Sequence, residues 1–151
     1  MKIILNLFIL LFVFNCSNLK NVTEKSVPYV SLNVINERYS LILKHNFDKN
    51  FTKFNDKLDK FRVDSKITFT KQDTLSHNGS NNLSILSGEV TFKIYNTSKS
   101  ILIKSGKIDS SVNIGNVSSF YGIDENLNFT KERLTQYLAS KLYKRIMLSI
   151  Q

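Results

Sequence analysis

Two kinds of hydrophobic periodicity alternate along this chain, and their order is the feature that most constrains its fold. Apolar residues recur at every second position in four segments, a pattern typical of half-buried strands. In two other segments they recur at steps of three and four, a pattern typical of amphipathic helices. The resulting order, β-α-β-β-β-α, predicts an α+β two-layer sandwich, with two helices packed on one face of a mostly antiparallel four-stranded sheet.

The two helix patterns differ in how clearly they begin. Asn36 is a favourable N-cap for the first helix, whose apolar stripe is Leu43, Phe47, Phe51, Phe54 and Leu58. The stripe of the last helix is Leu127, Leu134, Leu138, Leu142, Ile146 and Ile150. The start of that helix stays open: it begins near Ser119 and passes through Gly122, or it restarts at Asn128 or Thr130.

The strand patterns give the rest of the architecture. The predicted strands are Val30–Val34, Phe61–Lys71, Leu83–Tyr95 and Ile101–Ile114. The polar segment Thr70–Asn82 predicts a loop, and residues 96–100 predict a hairpin. In the fourth strand, Ile101 and Ile103 have one parity whereas Ile108 and Ile114 have the other, so we predict a β-bulge at Ser105-Gly106.

The first sixteen residues predict a targeting signal. Lys2 precedes an apolar run from Ile3 to Phe14, which as a helix would span about 18 Å, too short for a hydrocarbon core of about 30 Å. The pattern is typical of a secretory signal peptide, and the chain's only cysteine, Cys16, stands where a bacterial lipoprotein signal would be cut. We therefore expect a signal peptide over 1–15, a lipidated tether over 16–27 and a single α+β domain over 28–151. The alternatives are a buried N-terminal helix and an ordinary signal peptide with an incidental cysteine.

No catalytic constellation is evident in the sequence. His45 lies on a polar helix face and His77 in a predicted loop, and there is no H-E-x-x-H, paired-cysteine ligand set, Gly-rich phosphate loop or G-x-S-x-G motif. We expect a protein that is not an enzyme and that holds no metal or cofactor.

Positive charge is the remaining signal. The chain carries a formal net charge of +9 at pH 7, and residues 93–107 contain no acid but four lysines: Lys93, Lys99, Lys104 and Lys107. Such a surface attracts anions. Because an exported chain seldom meets nucleic acid, we expect a phosphorylated lipid rather than nucleic acid as the partner. The alternative is a solvated, lysine-rich surface that reflects composition alone.

Four features of the sequence, taken together, point to one known family. The first two are the signal ending at Cys16 and the strand and helix over Val30–Phe54 containing Asn36-Glu37-Arg38. The third is the meander Ser87-Gly88-Glu89-Val90-Thr91-Phe92-Lys93-Ile94-Tyr95 with Ser105-Gly106-Lys107. The fourth is Ser119-Phe120-Tyr121-Gly122. Together these features resemble the LptE family of lipopolysaccharide-assembly lipoproteins, the outer-membrane partners of the LptD β-barrel. The fourth is similar to that family's S-x-Y-A entry into its final helix, with Gly122 in place of Ala.

The resemblance implies a non-enzymatic outer-membrane lipoprotein, anchored on the periplasmic side through Cys16. It would plug an LptD-type barrel, support its assembly and help lipopolysaccharide reach the outer leaflet. Within that role, charge and position favour five side chains as candidates for contact with lipopolysaccharide: Lys71, His77, Lys93, Lys99 and Lys104. The alternative function is a free-standing periplasmic or surface lipoprotein that binds a protein or a small anionic ligand.

Overall fold

A computed structural model describes residues 28–50, 60–74, 83–115 and 119–150 of the chain. The elements follow the order that the periodicity predicts: β1 (Val30–Val34), α1 (Arg38–Asp48), β2 (Phe61–Thr74), β3 (Leu83–Asn96), β4 (Ile101–Gly115) and α2 (Phe120–Ile150). The predicted signal peptide and tether, with Cys16, lie outside the described residues and stay predictions.

The four strands form one open sheet in the order β1-β2-β3-β4. β1 pairs with β2 in parallel, through the crossover that contains α1, and the other two pairings are antiparallel. Both helices pack on the same face of the sheet, so the predicted α+β two-layer sandwich is confirmed.

The core lies between the helices and this covered face. Phe47 from α1 and Leu138 from α2 are fully buried against strand residues such as Val63 and Val90. At the centre of β3, a Cβ on Gly88 would lie 2.9 Å from Cδ1 of Leu138. Glycine at this position therefore lets α2 approach the sheet closely.

The first helix is shorter than its predicted stripe, and its N-cap differs from the predicted one. The helix ends at Asp48, and the stripe residues beyond it, Phe51, Phe54 and Leu58, lie outside the described residues. The N-cap residue is Glu37, which makes no side-chain capping bond. The prediction of Asn36 was wrong by one residue because it rested on side-chain capping preference, which this helix start does not use.

Two strand predictions also need correction. The predicted loop from Thr70 is wrong up to Thr74, because β2 continues to that residue and pairs with β3 along its whole length. The bulge lies at Ile103, not at Ser105-Gly106, since Ile94 pairs with Lys104 while Tyr95 pairs with Leu102. Gly106 serves another purpose: a Cβ there would lie 2.9 Å from Cζ of Phe92.

The last helix begins at the first of the two predicted positions and continues without a break. The backbone N–H of Gly122 donates to Ser119 Oγ at 3.1 Å, and the N–H of Ile123 donates to the Ser119 carbonyl at 2.9 Å. Ser119 therefore caps a helix of 31 residues, about 46 Å long. Among the described residues no helix is both long enough and apolar enough to span a membrane.

Candidate functional site

The predicted lipopolysaccharide contacts do not converge on one place in the fold. Lys71 pairs with Leu86, seven residues along β3 from Lys93, which corresponds to about 23 Å. These two lysines also lie on opposite faces of the sheet, since Leu86 is buried under the helices whereas Lys93 is exposed on the other face. His77 lies outside the described residues.

Among the described candidates, Lys71 is the one whose positive charge is paired with an acidic side chain. Its ammonium group lies 3.1 Å from Asp73 Oδ1, and Ser84 Oγ donates to the same carboxylate at 2.6 Å. The hydrogen bond from Ser84, followed by the interactions with Lys71, lowers the pKa of Asp73 below its ordinary value. Lys71 therefore already has an anionic partner within the chain.

The other two candidates lie around the β3–β4 hairpin. Lys99 occupies the turn, where its backbone N–H donates to Asn96 Oδ1 at 3.0 Å. Lys104 pairs with the buried Ile94, so it shares the helix-covered side of the sheet, although its own side chain is exposed. Lys93 and Lys104 are therefore on opposite faces, and a single small anion does not contact both.

The open face of the sheet, which neither of the described helices covers, does bring lysines together. Lys66 of β2 and Lys107 of β4 both lie opposite Thr91 of the central strand β3, so about 10 Å separates their Cα atoms. Lys93 is two residues further along β3 on the same face, at the diagonal spacing of about 7–8 Å from each. We call Lys66, Lys93 and Lys107 the open-face lysine cluster.

Short side chains leave room in the middle of this cluster. Thr91, Ser105 and Gly106 form the floor of a shallow groove of about 580 Å³, and Tyr95 stands beside it. The Arg62 guanidinium lies over the Tyr95 ring, 4.9 Å from its centroid. The groove is therefore wide, solvent-facing and bordered by cations.

The three lysines differ in whether an acidic side chain pairs with their positive charge. Lys107 donates to Glu89 Oε2 at 3.0 Å, and this hydrogen bond, followed by the charge of Glu89, raises the pKa of Lys107. Lys93 is directly opposite Asp64, but that carboxylate is occupied by Arg62 at 3.3 Å and by Asn33 at 3.1 Å.

Among the described residues, neither Lys66 nor Lys93 forms an ion pair. Two uncompensated ammonium groups on one face suit a phosphate-type anion, for which lysine acts as a point charge. Such an exposed site is screened by salt. No group of three metal-ligating side chains occurs in the part of the chain that the structure describes.

Of this cluster, only Lys93 is among the five candidates that the sequence suggested, and Lys107 was noted only as part of the acid-free segment. The outward parity of Lys66 could be read from the alternation in its strand, whereas its nearness to Lys107 depends on the register of two strand pairings. The sequence contains no signal that sets that register directly.

Comparison with known proteins identifies the fold. No family model matches the chain, and no curated protein sequence matches it. Solved structures do match. A minor lipoprotein from Acinetobacter baumannii has a TM-score of 0.59 at 16% identity, covering 80% of this chain and 92% of that one.

Two further lipoproteins share the fold. Rare lipoprotein B from Shewanella oneidensis has a TM-score of 0.59 at 10% identity, covering 78% of this chain and 92% of that one. Lipoprotein B from Nitrosomonas europaea has a TM-score of 0.60 at 8% identity, covering 80% and 82%. At these identities the likeness shows the fold alone: this chain has the fold of a group of bacterial lipoproteins.

Proposed function

We propose that this chain is a non-enzymatic lipoprotein of the outer membrane that acts as plug and assembly partner of an LptD-type β-barrel in lipopolysaccharide transport. The observation that carries the proposal is the fold itself, which is shared over about four-fifths of the chain with solved bacterial lipoproteins. The sequence resemblance to LptE points in the same direction. Cys16 would carry the lipid anchor on the periplasmic side.

The motifs behind the resemblance occupy consistent positions. The segment Ser87–Tyr95 forms most of the central strand β3, and Ser105-Gly106-Lys107 lies on β4 beside it. Ser119, which opens the last motif, is the N-cap of α2. These motifs thus fall where the sheet and the last helix are built, which supports their use as family signals.

The dimensions of the domain suit a plug. The helix α2 is about 46 Å long, and four strands at about 4.8 Å spacing give a sheet about 15–20 Å wide. A two-layer body of this shape fits lengthwise into a large barrel, whose lumen is polar. The open sheet face is polar and charged, as contact with such a lumen or with a bound lipid headgroup requires.

Within this function, the open-face lysine cluster is the best candidate for holding the phosphates of lipopolysaccharide. It includes Lys93 from the sequence-based candidates and adds Lys66 and Lys107. Lys99 lies in the turn that follows β3, outside the lining of the groove, whereas Lys71 has its charge paired with Asp73. The same two uncompensated lysines also suit a small anionic ligand, which keeps the free-standing lipoprotein as the second candidate.

The test is purification of the full-length tagged chain from detergent-solubilised outer membranes, followed by mass spectrometry of whatever remains bound. We expect a stoichiometric large β-barrel partner. Recovery of the chain alone, at native expression and in mild detergent, would contradict the plug function and favour the free-standing lipoprotein. A Cys16→Ser variant is the control for the anchor: it should lose the mass of the lipid and leave the membrane fraction.

A further inference from the structure

The fourth strand leaves one edge of the sheet open over much of its length. β4 is 15 residues long and, among the described strands, has a sheet neighbour on one side only. At the other end of the sheet, the edge strand β1 has just five residues. An unpaired strand edge is a template for pairing with another extended chain.

The hydrogen-bond pattern shows which groups face this edge. The N–H of Thr97 donates to the Lys60 carbonyl, so the odd-numbered residues of β3 face β2 and the even-numbered ones face β4. In β4 the residues paired with even-numbered positions of β3, such as Val112 and Ile114, therefore bond to β3. The N–H and C=O groups of Ser111 and Asn113 then point outward, to the open edge.

Two side chains of α2 cover the edge on either side of this stretch. Lys141 Nζ donates to the Asp109 carbonyl at 2.7 Å, and Asn126 Nδ2 donates to the Gly115 carbonyl at 3.4 Å. Between these two points, among the described residues, no side chain covers the outward groups of Ser111 and Asn113. The open stretch of β4 therefore lies between Asp109 and Gly115 and is about five residues long.

A groove runs beside this stretch, between β4 and α2. Its volume is about 520 Å³, and one wall consists of Phe129, Arg133 and Tyr137, which follow one another at steps of four along the helix. Phe129 and Tyr137 are 57% and 58% exposed, and Val112 on the strand side is 38% exposed. These are large apolar side chains left uncovered beside unpaired backbone groups.

The spacing of these three helix side chains matches the spacing of alternate side chains along a strand added to β4. Helix residues four apart are separated by about 6 Å, and alternate side chains of a strand by about 6.6–6.8 Å. A strand paired with β4 would thus place three successive helix-facing side chains next to Phe129, Arg133 and Tyr137. The described lining of the groove contains no Asp or Glu, and the Arg133 guanidinium lies over the Phe129 ring at 5.6 Å, so the central position suits an acidic side chain.

We propose that this groove binds an extended segment of a partner polypeptide by strand addition to β4. The segment has the pattern apolar-x-acidic-x-apolar, in which the apolar side chains contact Phe129 and Tyr137 and the acidic one reaches Arg133. Its backbone bonds to the outward groups of Ser111 and Asn113. In this binding mode main-chain hydrogen bonds supply affinity and the alternate side chains supply specificity. The proposal does not depend on the role in lipopolysaccharide transport.

The probe is a fluorescein-labelled peptide, valine-threonine-glutamate-threonine-valine with serine at both ends, titrated by fluorescence anisotropy into the full-length protein in mild detergent. A peptide with lysine in place of glutamate, and one with both threonine amides methylated, are the matched controls. We expect saturable binding of the first peptide, and binding at least about tenfold weaker for each control.

Two proline variants locate the binding on the edge. Ser111→Pro removes one outward N–H without touching the ladder to β3, so it should weaken binding at least about tenfold. Ser105→Pro makes the same change on the same edge about 20 Å away, outside the groove, and should leave binding within about twofold. Arg133→Glu should reverse the preference between the glutamate and lysine peptides, which simple loss of folding does not do.

Three results would overturn the proposal. The first is no saturable binding of the glutamate peptide up to about 1 mM. The second is binding that Ser111→Pro leaves unchanged, which would place the peptide elsewhere. The third is a dimer of the wild-type chain that Ser111→Pro dissociates, because a second copy would then occupy the edge.

Discussion

The two faces of the sheet contrast in what their side chains do. On the covered face, Val63, Val90 and Ile94 are fully buried under the two helices. On the open face, at alternate positions of the same strands, Lys66 and Thr91 are exposed. Antiparallel sheets commonly have one packed and one solvated face. The comparison indicates that the covered face determines stability, while the open face can carry charge for binding without cost to the core.

The largest expected difference between the faces is in the free energy of unfolding. Leu138→Ala removes a fully buried side chain and should destabilise the fold by about 2–5 kcal/mol. Thr91→Ala on the open face should stay within about 0.5 kcal/mol. Urea denaturation followed by circular dichroism measures both, and similar losses for the two variants would contradict the division between the faces.

A second comparison uses two glycines. Gly88→Ala forces a Cβ to within 2.9 Å of Leu138 Cδ1 and 3.1 Å of Leu134 Cδ2, so these packed side chains or the helix that carries them must move, and we expect a loss of about 1–3 kcal/mol. Gly115→Ala meets nothing within 4 Å and should be close to neutral. An unchanged midpoint of urea unfolding for Gly88→Ala would mean that the helix does not pack as closely as described.

Charge reversal on the open face should affect binding and spare folding. The double variant Lys66→Glu with Lys93→Glu should weaken lipopolysaccharide binding at least about tenfold, an effect that salt reduces. The double variant Lys104→Glu with Lys144→Glu makes the same change of net charge away from the open face, so it is the matched control and should have a smaller effect. Binding to immobilised lipopolysaccharide measures this, and equal losses for both variants would indicate non-specific attraction to net positive charge.

The helix starts provide a smaller contrast. Ser119→Ala removes the side-chain cap of α2 and should cost about 1 kcal/mol. Asn36→Ala should change the free energy of unfolding little, because Glu37 rather than Asn36 occupies the N-cap of α1. Thermal unfolding of the two variants tests this assignment, and a larger loss for Asn36→Ala would reverse it.

The smallest expected effect concerns Asp73. Because its pKa is lowered in the folded state, it stabilises the fold at pH values above the ordinary carboxyl pKa, and this contribution disappears as the pH falls through the folded-state value. Ser84→Ala should raise the pKa of Asp73 towards the ordinary value. Carboxyl-carbon NMR titration measures the change, and an unaltered titration would mean that Lys71 alone sets it.

Hydrophobic periodicity correctly predicted the strands and helices in which buried apolar residues recur at a regular spacing. The alternation in β3 and the stripe through Leu138 and Ile146 both correspond to buried residues. It failed where polar residues are held by pairing: Gln72 and Asp73, beyond the predicted strand end at Lys71, belong to β2 because the long antiparallel ladder with β3 continues past the core. Local composition cannot reveal such a ladder, since the bonds are made to residues elsewhere in the chain.

The candidate site was predictable only in part for a related reason. A change of parity in β4 correctly indicated a bulge. The bulge was predicted at Ser105-Gly106 because glycine is common at bulges, whereas Gly106 in fact makes room for the Phe92 ring. Likewise, the acid-free segment put Lys93 and Lys104 in one set of candidates, although the pleat and the bulge place them on opposite faces. Charge along the sequence predicts a basic protein; the register decides which charges meet.

Site-specific photo-crosslinking in intact outer membranes tests the central claim most directly. A photoreactive amino acid at Thr91, in the middle of the open-face lysine cluster, is compared with one at Lys144 on the exposed side of α2. If the open face holds lipopolysaccharide, the crosslinker at position 91 forms an adduct with lipopolysaccharide and the one at position 144 does not. A lipopolysaccharide adduct from position 144 alone, or from neither position, would contradict the account.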